Sequence, residues 1–165
     1  MKQPIKTIKE RLFDPAFNDQ AYLQALQADE RAGVQKLLQQ YEKQRMKHQL
    51  LQEKYEEMMR FENEAFQQGA RFIAGLDEVG RGPLAGPVVS AAVILPKECQ
   101  ILGLNDSKQL SAKKREELFI EIQNKAVAVG IGVVSPEEID RINIYQASRL
   151  AMKEALIDLA VKPEY

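Results

Sequence analysis

The sequence predicts an α/β domain preceded by an all-helical segment, and three observations predict it. Up to residue 70 the chain is Gln-rich, has glycine only at Gly33 and Gly69, and balances eleven basic against eleven acidic residues. From residue 71 short apolar runs alternate with amphipathic stretches, the pattern of strands and helices sharing one core. Those runs fall at 72–76 and 88–95, partly β-branched and bounded by Gly or Pro as strands are, and at 127–134, which contains Gly130 and Gly132. Two divisions follow: a helical N-terminal extension over 1–70 and an α/β part over 71–165.

In the extension a short helix over 7–12 breaks at Asp14-Pro15, and Asn18 is placed to cap a second helix ending at Leu26. A long helix is predicted from 29 to 68, with Gly69 as its stop. Its apolar stripe, from Val34 and Leu37 through Tyr41 and Tyr55 to Phe66, is interrupted by Gln44 and His48, which weakens any coiled-coil reading. With no acid cluster or glycine loop there, the extension is expected to pack on the main part or to dock a protein partner.

In the α/β part, Ser111 should cap a helix reaching about residue 126, burying Leu118, Phe119 and Ile122. Ser135-Pro136-Glu137-Glu138 reads as a helix start, with a cap, Pro in the first position and acids in the first turn. A last helix over about 145–160 should bury Leu150, Ala151, Ala155, Leu156 and Leu159. Lys162-Pro163-Glu164-Tyr165 then reads as a turn into a further strand, because Pro holds its predecessor extended. The expectation is therefore a piece of a longer protein.

Composition narrows the chemistry. With 45% hydrophobic and 28% charged residues and no long apolar run, the chain reads as a soluble cytoplasmic protein without a membrane span or signal peptide. One Cys and one His exclude an internal disulfide and a Cys/His zinc centre, so any metal must sit on oxygen, which favours Mg²⁺ or Mn²⁺. Net charge is −1, so affinity for phosphates must come from local groups such as Arg81, Lys108 and Lys113-Lys114-Arg115. The last three are equally the solvated first turn of a helix.

The stretch that carries chemistry is Asp77-Glu78 followed by Gly80-Arg81-Gly82-Pro83-Leu84-Ala85-Gly86-Pro87. Adjacent residues of a strand point to opposite faces, so two neighbouring acids serve one cation only if the chain turns near them. The Gly- and Pro-rich loop is expected to supply that turn; otherwise the pair is a turn aspartate beside a surface glutamate. Gly80, Gly82 and Gly86 miss the dinucleotide-binding spacing by one position, and no GxxxxGK[ST] loop occurs. Backbone amides freed at Gly80 and Gly82, with the charge of Arg81, could still grip a sugar or phosphate edge.

The run Asp77-Glu78-Val79-Gly80-Arg81-Gly82-Pro83-Leu84-Ala85-Gly86-Pro87 resembles the signature of the prokaryotic type 2 ribonucleases H, ribonuclease HII in particular. Asn105-Asp106-Ser107-Lys108-Gln109-Leu110 is similar to that family's second motif, and Ile142-Asn143-Ile144-Tyr145-Gln146-Ala147-Ser148 to its third. The resemblance implies a ribonuclease H-like mixed sheet with flanking helices, incomplete at the C-terminus. It implies an endoribonuclease, active in DNA replication and repair, that cuts the RNA strand of RNA–DNA hybrids and single ribonucleotides embedded in DNA. It implies Asp77 and Glu78 as catalytic metal ligands for two Mn²⁺ or Mg²⁺ ions. Gly80, Arg81 and Gly82 would read the substrate 2′-hydroxyl, Lys108 would hold a phosphate, and Asn105 or Ser107 would support that loop. A monomer is expected.

The family uses four acids, and two of them belong after a segment like 162–165. Asp106, Asp140 and Asp158 do not sit in the matching places. Weak or absent activity of this piece is therefore expected, and a non-catalytic nucleic-acid or protein-binding module is the alternative.

Overall fold

A computed structural model describes residues 3–83 and 85–165. They form two compact units, Met1–Lys54 and Tyr55–Tyr165.

The first unit is helical. Helix α1, Ile5–Leu12, and α2, Gln20–Gln27, pack with the opening turns of α3, Ala32–Met58, around Ile8, Leu12, Leu23, Leu26, Val34, Leu37 and Leu38. The cap of α2 is Asp19, one residue beyond the expected Asn18; its carboxylate accepts the Tyr22 amide at 2.9 Å. Asp19 also pairs with Arg11 at 2.7 Å, so one acid fixes the helix start and ties it to α1.

The long helix expected over 29–68 is two helices. Helix α3 ends at Met58, Met59 is a turn, and α4 runs Arg60–Gln67 before Gly69 stops it at φ +100°. No Gly, Pro or side-chain cap marks that break, which is why the sequence pattern runs through it.

The second unit is α/β. Strands β1, Ala74–Val79, β2, Val88–Ile94, and β3, Ala128–Val134, form a sheet in that order, antiparallel throughout. Helix α5, Ala112–Lys125, lies between β2 and β3 in sequence, and α6, Pro136–Ile142, and α7, Ile144–Asp158, follow. Ser111 and Ser135 cap α5 and α6 as expected, accepting the amides of Lys114 and Glu138. Beyond the three strands, Glu164 donates its amide to the Phe72 carbonyl and Ala74 donates to Tyr165, at 2.8 and 3.1 Å. Both chains ascend together there, so the 164–165 segment meets the start of β1 in a parallel sense.

Helix α7 covers one sheet face, and the contact is unusually close. That face carries Ser90, Ala92, Gly130 and Gly132, while α7 offers Ala147, Ser148, Ala151 and Ala155, all buried. Asn143, at φ 72°, ends α6 and caps α7 by accepting the amides of Tyr145 and Gln146, both at 3.1 Å. Leu159 is buried as expected, but Leu156 is 36% exposed and Phe119 on α5 is 54% exposed. The helices present small residues and Leu118 inward, and the larger side chains rotate out.

Two polar contacts finish the unit. At the free edge of β3, Asp158 accepts the Ile131 amide at 2.8 Å, blocking a position where another strand could add. At the other end Glu164 accepts the Arg71 amide at 2.6 Å and its guanidinium at 3.0 Å, and these bonds lower the Glu164 pKa from 4.5. A carboxyl whose folded pKa is depressed stabilises above its unfolded value and loses that contribution as pH falls through the folded one. The gap in urea midpoint between wild type and Glu164→Gln should therefore be present at neutral pH and close below pH 4.5. A gap unchanged in acid would contradict the bond.

Candidate metal and nucleic-acid site

The sheet positions the acids. Asp77 is opposite Ala91 and Glu78 is opposite Ser90, so both lie inside β1 and the strand does not turn between them. The expected turn between the two acids is therefore absent, yet both residues border the one cleft that opens at this end of the strand. Asp77 stands on the face of Ala91, and Glu78 on the face of the buried Ser90, whose hydroxyl donates to the Asp77 carbonyl at 2.8 Å.

The loop then turns at Gly80. Its φ is +100°, and a Cβ there would overlap the Pro87 carbonyl oxygen, so the position needs glycine for both conformation and space. At Gly82 a Cβ would meet nothing within 4 Å, which leaves that backbone open to a ligand.

Residues 77–83 line a cleft of about 970 Å³, floored by Val89 and Ala91 and closed opposite by Asp106, Ser107 and Lys108. Of the eight residues singled out from the sequence, seven line it: Asp77, Glu78, Gly80, Arg81, Gly82, Ser107 and Lys108. Asn105 does not; its amide donates to Gln109 at 2.8 Å and its oxygen accepts the Asp106 amide at 3.0 Å, so it braces the turn from behind. Asp106, set aside on sequence grounds, is part of the wall. It caps the short 3-10 turn Ser107–Gln109, accepting the Lys108 amide at 2.9 Å. Its place inside the second motif was the signal that could have identified it.

The acids already have partners. One Asp77 oxygen accepts the Glu78 amide at 2.9 Å, and Glu78, its side chain 14% exposed, pairs with Arg81 at 2.9 Å. Arg81 thus neutralises Glu78 and keeps a half-exposed guanidinium at the cleft. Lys108 is exposed and makes no ion pair among the described residues. A second cavity of about 480 Å³, apolar and lined by Met59, Phe66, Leu76 and Val93, shares Asp77 with the cleft.

Among the described residues no group of three or more His, Cys, Asp or Glu is placed to hold a metal. The donors in the cleft are nevertheless all oxygen. A hard cation such as Mg²⁺ is commonly held by one or two carboxylates, with water and phosphate oxygens completing its shell. Asp77 and Glu78 fit that role in kind, and a thiophilic metal would find no partner at this cleft.

Comparison with known proteins gives a consistent result. Residues 4–66 match the family model described as the ribonuclease HII N-terminal domain, and residues 74–165 match that of ribonuclease HII. Ribonuclease HII of Enterococcus faecalis strain V583 is 52% identical over 164 residues, covering 99% of this chain and 64% of that protein. Ribonuclease HII of Listeria monocytogenes serotype 4a is 48% identical over 165 residues, covering 100% and 63%. This chain therefore spans slightly less than two thirds of the length of these curated relatives. A solved structure, ribonuclease H2 of Pyrococcus horikoshii OT3, aligns at 33% identity and TM-score 0.48 over 56% of this chain and 47% of that one. No helix of the described residues is long and apolar enough to cross a membrane.

Proposed function

This chain belongs to the ribonuclease HII family, and from that premise we propose that it contributes the cation- and sugar-reading part of an endoribonuclease acting on RNA–DNA hybrids and on single ribonucleotides embedded in DNA. The observation that carries the proposal is the cleft itself. It sets two carboxylates, an open glycine backbone and two cationic side chains around one space. The functional division is placed at residues 70 and 71, with a helical extension before it and the cleft after it.

In this reading Asp77 and Glu78 hold Mn²⁺ or Mg²⁺. Bound there, a pair of such ions would activate the attacking water and stabilise the leaving 3′-oxygen. The chain's own residues select and hold the substrate. The backbone at Gly80-Arg81-Gly82 approaches the sugar, where the 2′-hydroxyl distinguishes RNA from DNA. With a cation on Glu78, Arg81 would be released from that carboxylate to meet a phosphate oxygen, and Lys108 would grip a neighbouring phosphate from across the cleft. Asp106, Asn105 and Ser107 hold the turn that aims Lys108.

Two carboxylates hold two cations loosely, so turnover by this chain alone is proposed to be weak. It works as a cytoplasmic monomer, with the helical extension available to a protein partner.

The test is cleavage of a labelled RNA–DNA hybrid by stoichiometric amounts of this chain, with manganese, with magnesium and with chelator, beside the Enterococcus faecalis relative. Slow metal-dependent cutting of the RNA strand is expected. Hybrid binding insensitive to chelator, with no cutting at any enzyme concentration, would replace the proposal with a binding module.

A further inference from the structure

Three cations, Lys113, Lys114 and Arg115, open helix α5, whose first turn holds no acid. A helix N-terminus favours anions, so cations there need partners elsewhere. Lys114 has Glu117 at 3.7 Å, and Lys113 is exposed with no ion pair among the described residues. Arg115 turns back along the chain instead. Its Nη1 donates to the Leu110 carbonyl at 2.7 Å and to the Ser107 carbonyl at 3.2 Å, which commits both hydrogens of that nitrogen.

Those two carbonyls flank the turn that carries Lys108. Within it the Gln109 amide donates to the Asp106 carbonyl at 2.9 Å, and the Leu110 amide to the Ser107 carbonyl at 3.3 Å. Residues 106–109 are all exposed, so no buried side chain of their own anchors them. The place of the turn therefore rests on polar bonds. Asp106 caps it from within, through the Lys108 amide, whereas Arg115 ties it to α5.

We propose that Arg115 is a positioning residue of the cleft: by holding the carbonyls on either side of Lys108 and Gln109, its guanidinium fixes the turn so that Lys108 stands where a phosphate passes. Arg115 is not among the residues that line the cleft, and it acts through Lys108, which is. The inference rests on the reading that the cleft takes an RNA–DNA hybrid.

The experiment is single-turnover cleavage of a labelled RNA–DNA hybrid in manganese, with the whole chain in excess at varied concentration. Wild type, Lys108→Met, Arg115→Met and the double variant are compared. Methionine keeps an apolar stem and a good helix preference but has no N–H to donate. Arg115→Met should raise the half-saturating concentration about tenfold, the share of one charge-assisted hydrogen bond. Its maximal rate should stay that of wild type, because Asp77 and Glu78 are untouched. Lys108→Met should behave alike, and the double variant should be no weaker than either. The slope of log half-saturating concentration against log salt should shrink by about 1 in all three variants, because one phosphate contact is lost once. Two independent phosphate contacts would shrink it by about 2 in the double variant.

A readout without nucleic acid stands beside it. Amide hydrogen exchange at Gln109 and Leu110, followed by NMR, should quicken in Arg115→Met. It should stay at the wild-type rate in Lys113→Met, which removes the same charge two residues away.

Unchanged exchange or an unchanged half-saturating concentration in Arg115→Met overturns the proposal, as does equal quickening in Lys113→Met. Additive losses in the double variant also overturn it, in favour of a direct phosphate contact by Arg115. Quickened exchange in Arg115→Met, with no hybrid cleavage by wild type, would refute the catalytic reading and leave the brace on the turn standing.

Discussion

Asp77→Asn is expected to reduce metal-dependent cleavage to the level seen with chelator, a loss of more than the 10- to 100-fold that substitutions in the outer shell of a metal site cost, or about 100-fold at least. The fold should survive. The Asp77 oxygen accepts the Glu78 amide, a bond an asparagine oxygen can keep, and the Ser90 bond goes to the Asp77 backbone carbonyl. The variant therefore removes a charge from the cleft and leaves its geometry in place. Manganese binding followed by electron paramagnetic resonance should weaken in parallel, while the urea midpoint stays near that of wild type. Retained cleavage with normal manganese affinity would remove Asp77 from the site.

Gly132→Ala is expected to be the most damaging single methyl group in the second unit. A Cβ at Gly132 would overlap the Ala151 carbonyl oxygen and lie 2.7 Å from the Ala155 amide nitrogen. Both neighbours are backbone of α7, so a side chain cannot swing aside and the helix itself must lift from the sheet. Overpacking of this kind costs about 1–3 kcal/mol, a large share of the 5–15 kcal/mol that holds an ordinary domain together. Gly130→Ala should behave alike, since its Cβ would overlap the Ala155 carbonyl and sit 2.9 Å from the Leu159 amide. An unchanged urea midpoint in Gly132→Ala would mean that α7 packs less closely than described.

That packing also shows what was readable in the amino-acid order. The third motif, around Asn143 to Ser148, implied no chemistry by itself, and the structure uses its Asn143 to cap α7, the helix whose Ala151 and Ala155 then pack on Gly130 and Gly132. The strand positions and the serine caps of α5 and α6 were legible because β-branched runs and N-cap serines are local signals. The break at Met59 was not legible, because no Gly, Pro or capping side chain announces it. Phe119 and Leu156 lie on apolar stripes and so read as inward, yet they are 54% and 36% exposed, because a stripe gives a helix's periodicity and not the width of the face its neighbours cover.

The site was legible in composition but not in geometry. Asp77 and Glu78 could be singled out as adjacent acids before a glycine loop, whereas their placement on opposite faces of β1 depends on the pairing with β2. The approach of residues 106–108 to the loop depends on the path of the chain between β2 and α5, which no local pattern encodes. Asn105 and Asp106 exchanged their expected places for that reason: the turn directs Asp106 toward the cleft wall and Asn105 toward Gln109.

The most direct test of the central claim is to map the cut in a DNA duplex carrying one embedded ribonucleotide, in single turnover with manganese, beside an otherwise identical duplex with 2′-deoxyribose at that position. A cleft that reads the 2′-hydroxyl predicts one slow, chelator-sensitive cut immediately 5′ of the ribonucleotide and none in the all-DNA duplex. Equal cutting of both duplexes, or cutting of neither, would contradict it.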